Sequence, residues 1–217
     1  MVEQPPLTLT ELMTAAKDFC LEPHSYPELF GVTDGKAVGT FIEHKFRARL
    51  QSLYTLEAGS SALGLDLPSI ETDIKVTSIR QPQSSCPFRS ARQKIYGLGY
   101  NLLLLVYDKS DNQPDRVATL NFLTCAFIDK SRTADYQTTR GILEILNRDG
   151  IRDDILAFLS DRNLPGDEVV YNALVDEILQ SPPHLGYLTI SNALQWRLQY
   201  GRVVSLTENI AGIIKIL

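Results

Sequence analysis

The stretch LGLDLPSIETDIKVTS, residues 63–78, decides how the rest of the chain is read. In an extended segment, side chains two apart share a face. Glu71, Asp73 and Lys75 then line one face, and Ile70, Thr72, Ile74 and Val76 line the other. The second set suits a core. The first gathers two carboxylates and an ammonium, and Asp66 arrives just upstream of a turn at Leu67-Pro68-Ser69. The pattern predicts a strand that packs with one face and carries polar chemistry on the other.

Upstream, Lys36–Leu53 reads as a helix from about Ala37, because Val38, Phe41, Ile42, Phe46 and Leu50 recur at three- and four-residue steps. Glu43, Lys45, Arg47 and Arg49 take other positions on it. Leu9–Cys20 predicts an earlier helix with Thr10 as cap. Pro23, Pro27, Gly31 and Gly35 break residues 22–36 into loop, and residues 59–64 read as a loop or irregular edge strand.

Downstream, residues 79–89 are turn-rich and Ser90–Tyr96 forms a short helix. Asn101–Tyr107 is a continuous apolar run suited to a strand buried on both faces. A polar turn at Asp108–Asp115 leads to a second strand, Val117–Ile128, on which Val117, Thr119, Asn121 and Leu123 need not be buried. The remainder reads as helical: Thr138–Leu146, Arg152–Leu159, Asp167–Leu179, and a helix capped by Ser191 and running to Tyr200. The tail from Val203 takes no assignment. The expected fold is α/β, a central mixed sheet of about four to five strands flanked by helices, with a helical C-terminal portion. Residues 1–217 are expected to form one domain, with a core over about 36–130 and the helical part over about 136–217.

No apolar run is long enough to span a bilayer, and the N-terminus lacks the basic and apolar segments of a signal peptide. Cys20, Cys86 and Cys125 are odd in number and far apart, which implies no disulfide framework and a reduced, cytoplasmic protein. The net charge of −5 argues mildly against a polyanionic partner. Its distribution argues the other way. No Asp or Glu occurs from Ile74 to Tyr107, while Lys75, Arg80, Arg89, Arg92 and Lys94 do. A basic stretch directly after an acidic cluster fits a site for a cation and a polyanion, although Arg89, Arg92 and Lys94 also suit the solvated face of a short helix.

Hard divalent cations such as Mg²⁺ take oxygen ligands, commonly one or two carboxylates with water and phosphate. Asp66 and Asp73 supply two carboxylates, and the Ile74 backbone carbonyl can add a third oxygen. Lys75 then sits beside the attacking water and the scissile phosphate, where it can orient the water and offset charge in the transition state. Glu71 shares the face as a neighbouring group, a bystander, or the true ligand in place of Asp73; the Lys two residues beyond favours Asp73. His24, His44 and His184 have no partners at ligand spacing. No Gly-rich phosphate loop and no G-x-S-x-G elbow occurs.

The order Asp66, Asp73-Ile74-Lys75 on a half-apolar strand resembles the PD-(D/E)xK nuclease superfamily, and within it the type II restriction endonucleases. "LDLP" stands where the family's Pro-Asp would be. GKAVGTFIEHKFRARL resembles the helix before the motif, whose Glu joins the metal site, and Glu43 matches that position. The basic, Gln-containing helix and buried strand that follow are similar too, so the likeness covers residues 36–128. It implies Mg²⁺-dependent hydrolysis of double-stranded DNA, leaving a 5′-phosphate. Asp66, Asp73, Lys75 and Glu43 would be catalytic, with Asp66, Asp73, Glu43 and the Ile74 carbonyl on the metal. A homodimer would match a palindromic site. Arg89, Arg92, Gln93 and Lys94 are the candidates for DNA contact. The segment ISNALQWRLQYGR, with Arg197 and Arg202, is a further candidate, though an aromatic on a capped helix is more often core. A repair or recombination nuclease of the same superfamily and a non-catalytic DNA-binding protein are the competing readings.

Overall fold

The computed structural model describes residues 4–57, 65–85, 90–191 and 196–217. Along the chain come α1 (Leu9–Leu21), β1 (His24–Tyr26), α2 (Gly35–Leu53), β2 (Thr72–Ser78), β3 (Gln83–Ser85), α3 (Ala91–Tyr96), β4 (Asn101–Asn112) and β5 (Val117–Ile128). Then follow α4 (Tyr136–Asn147), α5 (Arg152–Asp161), α6 (Glu168–Gln180), β6 (Thr189–Ile190), β7 (Arg197–Gln199), α7 (Gly201–Val204) and β8 (Ile213–Lys215). The chain divides into two compact units, one of residues 1–84, 101–128 and 206–217, the other of residues 85–100 and 129–205. No described helix is long and apolar enough to cross a membrane.

The first unit is built on a five-stranded mixed sheet of order β1-β5-β4-β2, with β8 also paired to β5. Strands β2 and β4 run parallel, Asp73 opposite Leu102 and Lys75 opposite Leu104, while β4 and β5 are antiparallel. Leu102 to Val106 are fully buried, as a continuous apolar run between two strands requires. The register of β4 and β5 shifts at Val106/Tyr107, and Leu123 on the facing strand is half exposed. Before this irregularity β5 alternates, with Asn121 and Leu123 outward; after it, Thr124 to Ile128 are all buried. Helices α1 and α2 cover one face. Leu12, Ala16 and Phe19 from α1 and Ile42, Phe46 and Leu50 from α2 pack with Ile74, Val76, Leu103 and Leu105.

The two helices start where their caps dictate. Thr8, not Thr10, caps α1 in a reciprocal box with Glu11, and Asp34 caps α2. Strand β4 runs five residues past its expected end at Tyr107, to Asn112, because β5 pairs with it as far as Val117. His24–Tyr26, read as loop from its prolines, pairs antiparallel with β5. The unassigned tail supplies α7 and β8, the latter pairing with Ala126–Ile128.

The second unit is mainly helical. Ile95, Ile142, Ile145, Ile155, Leu159, Leu174, Val175 and Ile178 form its core. The helix expected over Ser191–Tyr200 is absent from the described residues of that segment: Arg197–Gln199 is a strand paired antiparallel with Thr189–Ile190, and a short helix follows from Gly201. Pairing with β6 overrode the helical periodicity. Asp135 anchors this region, accepting from the Thr138 N–H and hydroxyl and from the Ile190 N–H.

Candidate active site

Strand β2 is an edge strand, and its outer side is not bare. Leu67 and Thr72 exchange both backbone hydrogen bonds there. The Ile74 N–H donates to Asp66 Oδ2 at 2.9 Å, and the Val76 N–H donates to Glu43 Oε1 at 3.3 Å. Within a strand, the N–H and C=O of one residue point to the same side. The Ile74 carbonyl therefore lies on the edge that Asp66 and Glu43 occupy. Two carboxylates do here what a further strand would do, and they bring negative charge to one line of backbone.

Glu43 reaches that edge because α2 lies close to it. Gly39, one turn before Glu43, sits so near β2 that a Cβ would stand 2.8 Å from the Val76 carbonyl oxygen. Gly39, Glu43 and Arg47 are spaced four apart and form one stripe of the helix. At its far end Arg47 Nη1 lies 3.8 Å from Asp66 Oδ1.

Asp73 and Lys75 project from the face opposite the helices, as the alternation predicts. Lys75 Nζ lies 2.6 Å from Asp73 Oδ2, with side-chain exposures of 19% and 5%. Burial, then a hydrogen bond with Asp66, pushes the Asp73 carboxyl up to about 7, against the opposing pull of Lys75. Burial also raises Glu43, with Lys75 opposing it and Asp66 adding to it. Burial draws the Lys75 ammonium down, but the charges of Asp73, Glu43 and Asp66 outweigh it and leave its pKa raised.

Glu71 does not share this face. It precedes the strand in the left-handed region, φ 47°, is exposed, and offers its carbonyl to the Asn101 N–H. The left-handed turn is what starts β2 at Thr72 and places Asp73, not Glu71, beside Lys75.

The expected DNA contacts are scattered in role. Arg89 lies outside the described residues. Arg92 is bound to Glu177 through three short N–H···O contacts of 3.0, 3.0 and 2.6 Å. Gln93 is half-buried. Lys94, expected to face DNA, is instead buried at 5% exposure and stands 5.6 Å from the Trp196 ring. The reason is the register of this six-residue helix, which turns Ala91, Lys94 and Ile95 inward together. The residues missed from sequence are Gly39 and Arg47, both findable by stepping four residues either way from Glu43.

Among the described residues no group of three or more His, Cys, Asp or Glu side chains is gathered as a finished metal cage. The fit to a cation rests on less. Asp66 and the Ile74 carbonyl share the β2 edge, and the buried Asp73 carboxyl stands beside Asp66. Hard-cation sites of this kind, completed by water and phosphate, use such a donor set.

An α/β sheet whose edge strand carries Asp–x–Lys, backed by an aspartate and a helix-borne Glu, defines a nuclease of the restriction-endonuclease-like class. The sequence model of the family described as "Type II restriction enzyme NspV" matches residues 6–215. The Type II restriction enzyme NspV of Nostoc sp. (strain ATCC 29411 / PCC 7524) is 57% identical over 212 residues, spanning 97% of this chain and 96% of that protein. The chain belongs to the NspV family of type II restriction enzymes, and is thus a site-specific deoxyribonuclease. No solved structure matches it. Enzymes of this class generally work with a divalent metal ion.

Proposed function

We propose that this enzyme hydrolyses phosphodiester bonds of double-stranded DNA at the β2 edge, with Mg²⁺ as its cation and Asp66, Asp73 and Lys75 as its essential side chains. The observation that carries the assignment is the buried Asp73–Lys75 pair, with Asp66 beside Asp73 and accepting from the Ile74 N–H. Asp66, Asp73 and the Ile74 carbonyl would hold the cation, with Glu43 as a further oxygen beside it. When bound, the cation supplies a water of lowered pKa and draws charge from the phosphoryl oxygens. Lys75 would hold the attacking water by a hydrogen bond from Nζ and offset charge on the phosphate. The reaction yields a 5′-phosphate and a 3′-hydroxyl.

A homodimer working in the cytoplasm completes the proposal, since a two-fold enzyme matches a palindromic site. Arg89, Arg92 and Gln93 are proposed to touch DNA; Arg92 would do so by exchanging Glu177 for a phosphate.

The test is digestion of a sequenced plasmid with and without Mg²⁺, beside purified Asp73→Ala and Lys75→Ala. Discrete fragments from the parent and loss of at least about 100-fold in rate for each variant, with a cooperative melting transition retained, are expected. A folded variant cutting at the parent rate would remove its residue from the centre. Smearing in place of bands would point to a nuclease without site preference.

A further inference from the structure

We infer that Arg47 is the residue that takes hold of a DNA phosphate at this centre, a role that rests on the reading of the β2 edge as the cutting site. A phosphodiester must come into contact with a site bearing three carboxylates, those of Glu43, Asp66 and Asp73. Like charge opposes that approach. Lys75 is committed to Asp73 at 2.6 Å. Arg47 is the other cation on this edge among the described residues.

Its donors are unspent. The 3.8 Å separation from Asp66 is an ion-pair distance but too long for a hydrogen bond. Asp66 has already given its other oxygen to the Ile74 N–H. None of the five guanidinium N–H groups has a hydrogen-bond partner among the described residues. Other arginines among the described residues are hydrogen-bonded: Arg49 to Glu22, Arg92 to Glu177, Arg140 to Glu144 and Arg152 to Asn172. Arg47 and Asp66 are about equally exposed, 31% and 30% by side chain, so a ligand can reach both. The guanidinium fork matches two oxygens of one phosphate. The stripe Gly39–Glu43–Arg47 fixes where it stands: the close approach at Gly39 sets the helix on the strand, and two turns later the guanidinium overhangs Asp66.

In the free protein Asp66 keeps Arg47 over the site by charge alone. On DNA, Arg47 exchanges that loose pairing for direct hydrogen bonds to nonbridging phosphate oxygens. The contact is to the backbone, so it is indifferent to base sequence. It positions the substrate for Asp66 and Asp73, and its loss weakens binding and slows turnover together.

The experiment measures affinity by fluorescence anisotropy over a salt series, in Ca²⁺, on a duplex the parent enzyme cuts and on a scrambled duplex. Parent, Arg47→Ala, Arg47→Lys and Arg49→Ala are compared, with melting curves for each. Arg47→Ala is expected to weaken both duplexes by the same factor and to reduce the slope of log affinity against log salt by about 0.9. Its single-turnover cleavage rate in Mg²⁺ should fall at least tenfold. Arg47→Lys should restore the slope and only part of the rate, and Arg49→Ala should match the parent. Position 47 is half-buried on a helix, where alanine is the best helix former, so folding is not at issue. Unchanged slope and affinity in Arg47→Ala overturn the inference. So does a loss confined to the cut duplex, which would make Arg47 a base-reading residue. So does a loss that vanishes once active protein is counted, which would make it structural. An Asp73→Ala enzyme that still cuts would instead overturn the placement of the centre, whatever Arg47 does.

Discussion

The raised pKa of Asp73 makes the metal-free enzyme a poorer fold at neutral pH than at acid pH, and Asp73→Asn should reveal it. Burial and the hydrogen bond with Asp66 hold the folded carboxyl at about 7, against 3.8 for an ordinary aspartate. Below the lower value both folded and unfolded chains carry the proton. Between the two, the folded chain keeps a proton that the unfolded chain has lost, so stability falls as pH rises through the window and is lowest above 7. A gap of this size corresponds to at most ~4 kcal/mol. The pull of Lys75 on the carboxylate is already contained in that figure. For a chain of this length that is roughly 2–4 °C in Tm per kcal/mol. Asparagine keeps the shape and cannot ionise. Thermal unfolding in EDTA from pH 4 to pH 9 should show the parent losing stability across pH 4–7 while Asp73→Asn stays flatter and ends above the parent at pH 8. Added Mg²⁺ at pH 8 should raise the parent and leave the variant where it was. Parallel curves for the two proteins would refute the assignment of a buried Asp73 with a raised pKa.

Other perturbations test the same geometry from other sides. Gly39→Ala gains about 1 kcal/mol of helix propensity but places a Cβ 2.8 Å from the Val76 carbonyl oxygen, so α2 must move off β2; a net loss of roughly 1–3 kcal/mol and a drop in cleavage rate are expected from melting and single-turnover assays. Asp135→Ala removes the buried acceptor of the Thr138 and Ile190 N–H groups, and should cost about 2–4 kcal/mol in urea denaturation. Glu177→Gln breaks an exposed pair and should cost less than ~1 kcal/mol; if Arg92 serves DNA, the same variant frees it and steepens the salt dependence of binding.

The grouping of Asp66, Asp73 and Lys75 was legible because its contacts are local. Asp73 and Lys75 need only the two-residue period of a strand to meet, and Asp66 needs only the turn at Pro68 to come back to the Ile74 N–H. The long apolar run of β4 and the alternation of β5 announce their own burial. What stayed illegible depends on partners far along the chain. His24–Tyr26 is a strand because β5 offers an unpaired edge, and Ile213–Lys215 for the same reason at the other end of β5. Arg197–Gln199 takes its conformation from Thr189–Ile190, although its own spacing suits a helix equally well. The inward turn of Lys94 follows from how six helical residues meet the core, and a charge count along the sequence carries no information about that. Glu71 shows the finest limit: one residue in the left-handed region removes it from a face that simple alternation assigns to it.

Why the acidic residues sit where they do follows from the sheet. An edge strand leaves every second N–H without a partner, and an unpaired N–H at a buried edge costs free energy. In β2 the exposed donors of Ile74 and Val76 are taken by carboxylates instead of by another strand. Carboxylates hydrogen-bonded to backbone are stabilised in place, which lets the fold tolerate two of them beside the buried Asp73. The arrangement remains electrostatically incomplete, as the raised pKa of Asp73 reflects. The same donors that finish the edge strand therefore leave a concentration of oxygen ligands that only added positive charge can relax. A cation, Lys75 and Arg47 are three ways of supplying it, and the hydrolysis proposed at this edge would bring all three to one phosphate.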